Sequence, residues 1–130
     1  MSIEVHIIDG PLHEDRAAWG VEGAGAVLCF DGIVRPIEDG QIIAGLHYQV
    51  YEPMASSSLR WLAEETRQRF AVLAVHVAHS RGDVPSGQCS FRLRIASTHR
   101  KEALAAMDYF IDRLKQDVPI WKQPLQKGTS

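Results

Sequence analysis

Two short segments rich in cations could carry chemistry in this chain. In the first, residues 97–100 have the sequence Ser-Thr-His-Arg, at the point where an alternating pattern ends and a helical one begins. Thr98 is the predicted N-cap, so His99 and Arg100 fall in the first helical turn, where free backbone N–H groups favour an anion. A His and an Arg that project into water would give the same pattern. Residues 97–100 are therefore a candidate anion site, with a plain surface role as the alternative.

A second group of cations surrounds the predicted helix stop at Pro119. Lys115 lies in the last turn of the same helix, and Trp121 and Lys122 follow the proline. A lysine in that turn also complements the helix dipole, and a lone tryptophan near a terminus commonly anchors packing. Arg35 adds a cation where a predicted strand ends, and loops at strand ends often carry function. These cations are candidate site residues, with dipole pairing and surface exposure as the alternatives.

The pattern does not favour metal, phosphate-loop or serine-nucleophile sites. His76 and His79 lie three residues apart on a predicted strand, so they point to opposite faces. Neither cysteine has a second cysteine or a histidine at ligand spacing. The glycines near the N-terminus fit neither standard nucleotide motif, and the serines at 56–58 lack partner motifs. We therefore expect no metal ion in this protein.

Length and composition are those of one ordinary folded domain. The chain has 130 residues, of which 45% are hydrophobic and 23% charged, which suits a conventional core and excludes disordered classes. A formal charge of −2 leaves no broad basic surface for nucleic acid. We expect no membrane segment, because no apolar run reaches the roughly 18 residues of a span, and no targeting signal. Cys29 and Cys89 are expected to be reduced core thiols, which fits the cytoplasm.

Hydrophobic periodicity predicts the strands that position the candidate residues. Alternating or unbroken apolar runs predict strands at residues 3–8, 26–30, 42–50, 73–78 and 89–95. The unbroken run at 26–30 is expected to be a central strand buried on both faces. The last two strands are expected to form a hairpin, turned by residues 81–87, with one solvated or partner-facing side.

Two amphipathic helices complete the predicted fold. One follows Pro53 and extends to Phe70, and the other begins near His99 and is stopped by Pro119. A short helix or irregular turn is predicted at 13–19, and an irregular tail from about residue 123. Two strands and a helix, followed by two more strands and a helix, indicate a single α+β domain over the whole chain, with a mostly antiparallel sheet.

Taken together, the motifs resemble the large, catalytic subunit of molybdopterin synthase. The matching segments are GAV at 25–27, FDGIVR at 30–35, LHY at 46–48, YEPMA at 51–55, the turn at 82–87, STHR at 97–100, Ala103, Lys115 and PIWK at 119–122. They occur in the family's order and at similar spacing. The chain departs from the family pattern at Ile33, Ser80 and Gln123, differences that concern substrate affinity and rate more than the fold.

The resemblance implies a fold, an activity and partners. The fold is an α/β-hammerhead type domain that forms a homodimer through its sheet and binds one small ubiquitin-like sulfur carrier per subunit, giving a heterotetramer. The carrier's C-terminal Gly-Gly thiocarboxylate delivers sulfur to cyclic pyranopterin monophosphate, and two transfers make the dithiolene of molybdopterin. By position, Arg35, His99 and Arg100 would bind the pterin phosphate, and Lys115 and Lys122 would be the catalytic lysines. No separate redox cofactor is required.

The predicted second helix separates the phosphate-binding residues from the lysines. His99 and Lys115 are 16 residues apart, which corresponds to roughly 24 Å along a helix. We therefore hypothesise a composite site, with Lys115 and Lys122 of one chain facing His99 and Arg100 of its partner. Two other functions fit the same residues. One is a non-catalytic dimeric adaptor for a ubiquitin-like protein, and the other is an enzyme that acts on another small phosphorylated substrate without a carrier.

Overall fold

The computed structural model describes residues 2–15 and 19–127, and its elements follow the predicted α+β order. The elements in chain order are β1 (Ile3–Asp9), β2 (Ala26–Ile33), β3 (Ile37–Glu38), β4 (Gln41–Val50), α1 (Met54–Phe70), β5 (Ala74–Pro85), β6 (Cys89–Ser97), α2 (Arg100–Asp117) and β7 (Ile120–Gln126). The prediction of two main helices and a mostly antiparallel sheet is confirmed.

Strand β5 lies in the middle of the sheet and pairs with three other strands. Its first half pairs antiparallel with β6 on one side and parallel with β1 on the other, and its last residues pair antiparallel with β4. The change of partner occurs near Gly82, whose φ of 86° lies in the left-handed region that glycine adopts most easily. Strand β4 pairs in turn with β7. Strand β5 therefore joins the part of the sheet that contains β1, β2 and β6 to the part that contains β3, β4 and β7.

Strand β2 lies at one end of the sheet, and the prediction of a central strand buried on both faces is wrong. Within the described range it pairs only with β6, and Val27 and Phe30 are 49% and 39% exposed. An unbroken apolar run is typical of buried strands, but it also suits an edge strand whose side chains another chain can cover. Cys29 on this strand is exposed, so only Cys89 is the buried thiol that was expected.

Both helices pack on one face of the sheet and form the main core with it. Leu59 of α1 and Phe110 of α2 are fully buried together with Leu93 of β6. The other face of the hairpin between β5 and β6 carries Arg92 and Arg94. These side chains are only 13% and 15% exposed, because they donate hydrogen bonds to the carbonyls of His13 and Asp15, so the side predicted to be solvated or partner-facing is largely covered by the same chain. No helix in the described ranges is long and apolar enough to cross a bilayer.

Helix α2 begins one residue later than predicted. Its first helical residue is Arg100, and the residue at its N-cap is His99 rather than Thr98. His99 has extended backbone angles, with φ −126° and ψ 151°, and its side chain makes no capping hydrogen bond. Instead, the Ser97 hydroxyl donates a hydrogen bond to the His99 carbonyl. The hydroxyl that secures this helix entrance is therefore that of Ser97.

The C-terminal segment is a strand where an irregular tail was predicted from about residue 123. Strand β7 continues to Gln126 and pairs antiparallel with β4, from Ile120 opposite Val50 onward. Pro124 is compatible with this strand because β7 pairs only with β4 among the described strands, and an edge position leaves one row of N–H groups unused. The proline therefore does not end the strand.

One of the two local predictions near the turns also needs correction. The turn between β5 and β6 is shorter than residues 81–87, because β5 continues to Pro85 and keeps its pairing with β4. Of the short helix or irregular turn predicted at 13–19, residues 13–15 and 19 are irregular and not helical. Residues 16–18 lie outside the described residues.

A second, smaller apolar cluster forms where β4 meets the last residues of β5. Its buried members are Val34, Ile43, Leu46 and Val84, and Tyr48 packs against them. Gly45 allows this close contact, because a Cβ on it would lie 2.3 Å from the carbonyl oxygen of Val84. This cluster fixes the end of the sheet that carries β7.

His79 is buried where the two clusters meet. Its ring contacts Tyr48 edge-on and Phe91 at a tilt, with centroid distances of 5.1 and 5.8 Å. Its Nδ1 lies 2.8 Å from the carbonyl oxygen of Ser80. A carbonyl can only accept, so Nδ1 carries the proton and Nε2 is the acceptor of the neutral ring. Burial lowers the pKa of His79 from its ordinary value of 6.5.

We expect the burial of His79 to make stability depend on pH. As the pH falls below 6.5, the unfolded chain takes up a proton before the folded protein does. The free energy of unfolding should therefore fall below that pH, by up to about 1.4 kcal/mol per pH unit, until the pH reaches the lower pKa of the folded protein. Denaturant unfolding between pH 5 and 8 measures this slope. His79→Gln keeps a donor for the Ser80 carbonyl and should flatten it, whereas equal slopes would contradict the assignment.

Candidate active site

A cavity of about 770 Å³ opens between the end of β2, strands β4 and β7 and the last turns of α2. This volume lies in the range of small-molecule sites. Its walls are largely apolar, with side chains such as Ile111 and Leu114. The polar groups that line it include Arg35, Glu38, Tyr48, His79, Lys115 and Lys122. Three of the five predicted site residues, Arg35 and the two lysines, therefore share one cavity.

Each of the three cations reaches the cavity from a different part of the fold. Arg35 directly follows Val34, whose N–H donates to the Gln88 carbonyl at 2.9 Å and whose carbonyl accepts from the Gly87 N–H at 2.7 Å. Lys115 lies in the last turn of α2. Lys122 lies on β7, opposite Tyr48 of β4. The site therefore depends on long-range sheet pairing and on the position of α2.

Glu38 is a carboxylate that faces two of these cations. Its Oε1 accepts a hydrogen bond from Lys122 Nζ at 3.1 Å, and its Oε2 lies 3.8 Å from the guanidinium of Arg35. The Glu38 side chain is 15% exposed, compared with 75% for Arg35 and 53% for Lys122. Within residues 2–15 and 19–127, Lys115 has no carboxylate partner. The cavity thus presents one unpaired ammonium group beside two cations that share a carboxylate.

Neutral hydrogen-bonding groups also line the cavity. The hydroxyl groups of Tyr48 and Ser90 lie 2.8 Å apart and are hydrogen-bonded. His79 presents a neutral ring whose Nε2 has no hydrogen-bond partner in the part of the chain that the structure describes. Cations that hold anionic groups, together with neutral donors and acceptors and apolar walls, suit a small ligand that carries a negative charge as well as polar and apolar groups.

The structure does not bring His99 and Arg100 into this cavity. Both are exposed at the first turn of α2, and Lys115 lies at the other end of this 18-residue helix. The 16 residues from His99 to Lys115 span roughly 24 Å at the rise of an α-helix. The predicted site residues therefore form two separate groups within one chain, as the helix length predicts.

Glu38, Tyr48 and His79 line the cavity but were not predicted as site residues. The one local signal concerns Glu38, because the following Asp39 and Gly40 form a two-residue hairpin turn with φ values of 50° and 77°. No spacing rule connects Glu38 with Lys122, which is 84 residues away. The residues that the structure describes hold no group of three or more His, Cys, Asp or Glu side chains that could bind a metal ion.

Several known sequences that this chain resembles are molybdopterin synthase catalytic subunits. The family model for the MoaE protein matches residues 8–117. The molybdopterin synthase catalytic subunit of Homo sapiens is 36% identical over 106 residues, covering 82% of this chain and 56% of that protein. The one from Thermoplasma volcanium is 35% identical over 102 residues, covering 78% and 74%. The chain spans about half the length of the Arabidopsis thaliana and human relatives, 50% and 56%.

Solved structures agree with these comparisons. Molybdopterin synthase from Staphylococcus aureus matches with a TM-score of 0.85 at 28% identity, covering 95% of this chain and 92% of that one. A complex of subunits 1 and 2 of the molybdopterin-converting factor from Helicobacter pylori matches with a TM-score of 0.75 at 29% identity, covering 96% and 86%. The family model covers most of the chain and the neighbours share its fold, so the chain belongs to the MoaE protein family.

Proposed function

We propose that this chain is the catalytic subunit of a molybdopterin synthase. It would transfer sulfur from the C-terminal Gly-Gly thiocarboxylate of a small ubiquitin-like carrier to cyclic pyranopterin monophosphate. The observation that carries the proposal is the convergence of Arg35, Lys115 and Lys122 on one cavity. The relatives named as catalytic subunits and the two-subunit complex from Helicobacter pylori support it.

Both partners in the proposed reaction are anions, which explains why the site needs cations. Charge-assisted hydrogen bonds from Arg35, Lys115 and Lys122 would orient the thiocarboxylate and the substrate. The same cations would stabilise the negative charge that develops at the thioester carbonyl and on the leaving phosphate oxygen. Lys115 and Lys122 are the proposed catalytic lysines. Apolar walls around them strengthen these interactions, because the local dielectric constant is lower than that of water.

The assembly that we propose is a homodimer with one carrier per subunit, and hence a heterotetramer. Exposed apolar side chains support this proposal, because large apolar patches commonly mark interfaces. Val27 lies on the edge strand, and Ile33, Ile37 and Ile42 are 51%, 52% and 62% exposed. In the dimer, His99 and Arg100 of the partner would complete each cavity and bind the pterin phosphate with Arg35.

We propose the cytoplasm as the location of the protein. The free thiols of Cys29 and Cys89 suit this reducing compartment.

A single-turnover assay tests the proposed reaction. Purified protein is mixed with cyclic pyranopterin monophosphate and a thiocarboxylated carrier, and dithiolene product is measured. Lys115→Ala should lower the rate by at least about 100-fold, because general acid or base groups typically contribute that much. The matched control is Lys127→Ala, which removes an exposed lysine outside the cavity and should keep the wild-type rate.

The remaining outcomes of this assay separate the alternatives. Carrier binding by the wild type without product would favour a non-catalytic adaptor. Turnover of the pterin substrate without any carrier would favour an enzyme of another class. A fully active Lys115→Ala variant would remove this lysine from the mechanism.

Mixed dimers test the composite site. In a dimer of one His99→Ala chain and one Lys115→Ala chain, one of the two sites receives both intact groups. Random mixing makes half of the dimers mixed, so activity should recover to about a quarter of the wild-type value. The control pairs Lys115→Ala with Lys122→Ala, which leaves every composite site defective and should recover nothing. Activity that stays at the level of the single variants in both mixtures would argue against sites shared between chains.

A further inference from the structure

The carboxylate of Glu38 lies beside two cations that the proposed mechanism requires for binding the anionic tail of the carrier. Its carboxylate contacts Lys122 at 3.1 Å and lies 3.8 Å from the guanidinium of Arg35. These are two of the three cations that line the cavity. The part of the carrier that must enter there ends in a carboxylate or thiocarboxylate, which has nearly the same shape and charge as the end of a glutamate side chain. The Glu38 carboxylate and the incoming tail can therefore bind the same two cations, Lys122 and Arg35.

The backbone around Glu38 keeps its carboxylate at this position. Glu38 is the last residue of β3, and Asp39 and Gly40 connect it to β4 in a tight hairpin. Its backbone pairs with Gln41, and the Ile43 N–H donates to the Pro36 carbonyl at 2.9 Å. The carboxylate thus comes from a short, paired element. Its side chain is largely shielded, at 15% exposure, while both of its cationic partners remain open to solvent.

Because Arg35 and Lys122 are exposed, each can exchange its contact with Glu38 for a contact with another anion. Ion pairs with open partners are weak, because water and salt screen them and the long side chains lose freedom when they pair. Arg35 and Lys122 can turn toward a second anion without unfolding any element. Lys115, with no carboxylate partner in the described residues, remains available to a ligand in either state.

We propose that Glu38 is an internal counter-ion that pairs with Lys122 and Arg35 in the empty cavity and competes with the carboxylate or thiocarboxylate end of the carrier. This inference rests on the proposed function for the identity of the tail. Glu38 weakens binding of the tail before and after sulfur transfer. It therefore favours release of the spent carrier, whose tail is again a carboxylate, and it limits occupation of the site by other carboxylates.

Peptide binding tests the competition directly and needs no turnover. The probe is a synthetic peptide that ends in Gly-Gly with a free carboxylate, titrated into the full chain and followed by the NMR signals of cavity residues. Glu38→Gln should bind it about three- to five-fold more tightly than the wild type, the effect expected from removing one partly exposed ion pair. The same peptide with a C-terminal amide should bind wild type and variant equally.

Two further variants separate a local charge effect from a general one. Glu64→Gln removes one negative charge on α1, where Glu64 pairs with Arg67 at 2.6 Å outside the cavity, and should bind like the wild type. Glu38→Asp keeps the charge and should stay closer to the wild type than to Glu38→Gln. Unchanged or weaker binding by Glu38→Gln, or no carboxylate binding by any variant, would overturn the proposal.

Steady-state kinetics provide a second readout, separate from the peptide test. Glu38→Gln should lower KM for the thiocarboxylated carrier by the same factor and lower kcat when carrier release limits turnover. A raised KM would mean that Glu38 organises the cations for the tail instead of competing with it. A wild type that makes no product would refute the proposed function, and the peptide result would still decide the role of Glu38.

Discussion

The positions of the cavity residues on the sheet depend on how strand β5 pairs with several other strands. Strand β5 is paired along its whole length, first with β1 and β6 and then with β4. Two register relations follow from it: Tyr48 of β4 lies opposite Gly82 of β5, and Lys122 of β7 lies opposite Tyr48. A slip of one residue in either pairing would turn Lys122 to the other face of the sheet. The geometry of the cavity is therefore set by hydrogen bonding in the sheet, far from the lysine itself.

The electrostatic character of the site follows from this arrangement. The two lysines come from α2 and β7, Arg35 comes from the loop between β2 and β3, and Glu38 comes from β3. Like charges brought together in a partly apolar cavity repel one another, so a carboxylate beside two of them stabilises the empty protein. The same carboxylate weakens the attraction of the cavity for an anionic ligand. This one contact therefore raises the stability of the free chain slightly and lowers the affinity of the cavity for anions.

Local patterns in the sequence predict much of this structure, and the failures have a common cause. Both helices and strand β4 were predicted because their apolar residues repeat with the period of the element. Strand β2 was wrongly predicted to lie at the centre of the sheet. An apolar run looks the same in the sequence whether residues of its own chain or of another chain pack against it. The link from Glu38 to Lys122 could not be predicted, since it depends on pairing between residues 84 positions apart. Likewise, the burial of His79 results from contacts with Tyr48 and Phe91 on neighbouring strands.

Helix α2 has a proposed functional group at each end, Arg100 in its first turn and Lys115 in its last. An α-helix of this length is stiff along its axis, so a ligand that displaces Arg100 at one end also displaces Lys115 at the other. In a dimer with composite sites, the two helices would link the two cavities mechanically. Occupation of one cavity would then change the affinity of the other, and by thermodynamic linkage the effect would be reciprocal. A Hill coefficient different from one for substrate binding is the observable form of this coupling.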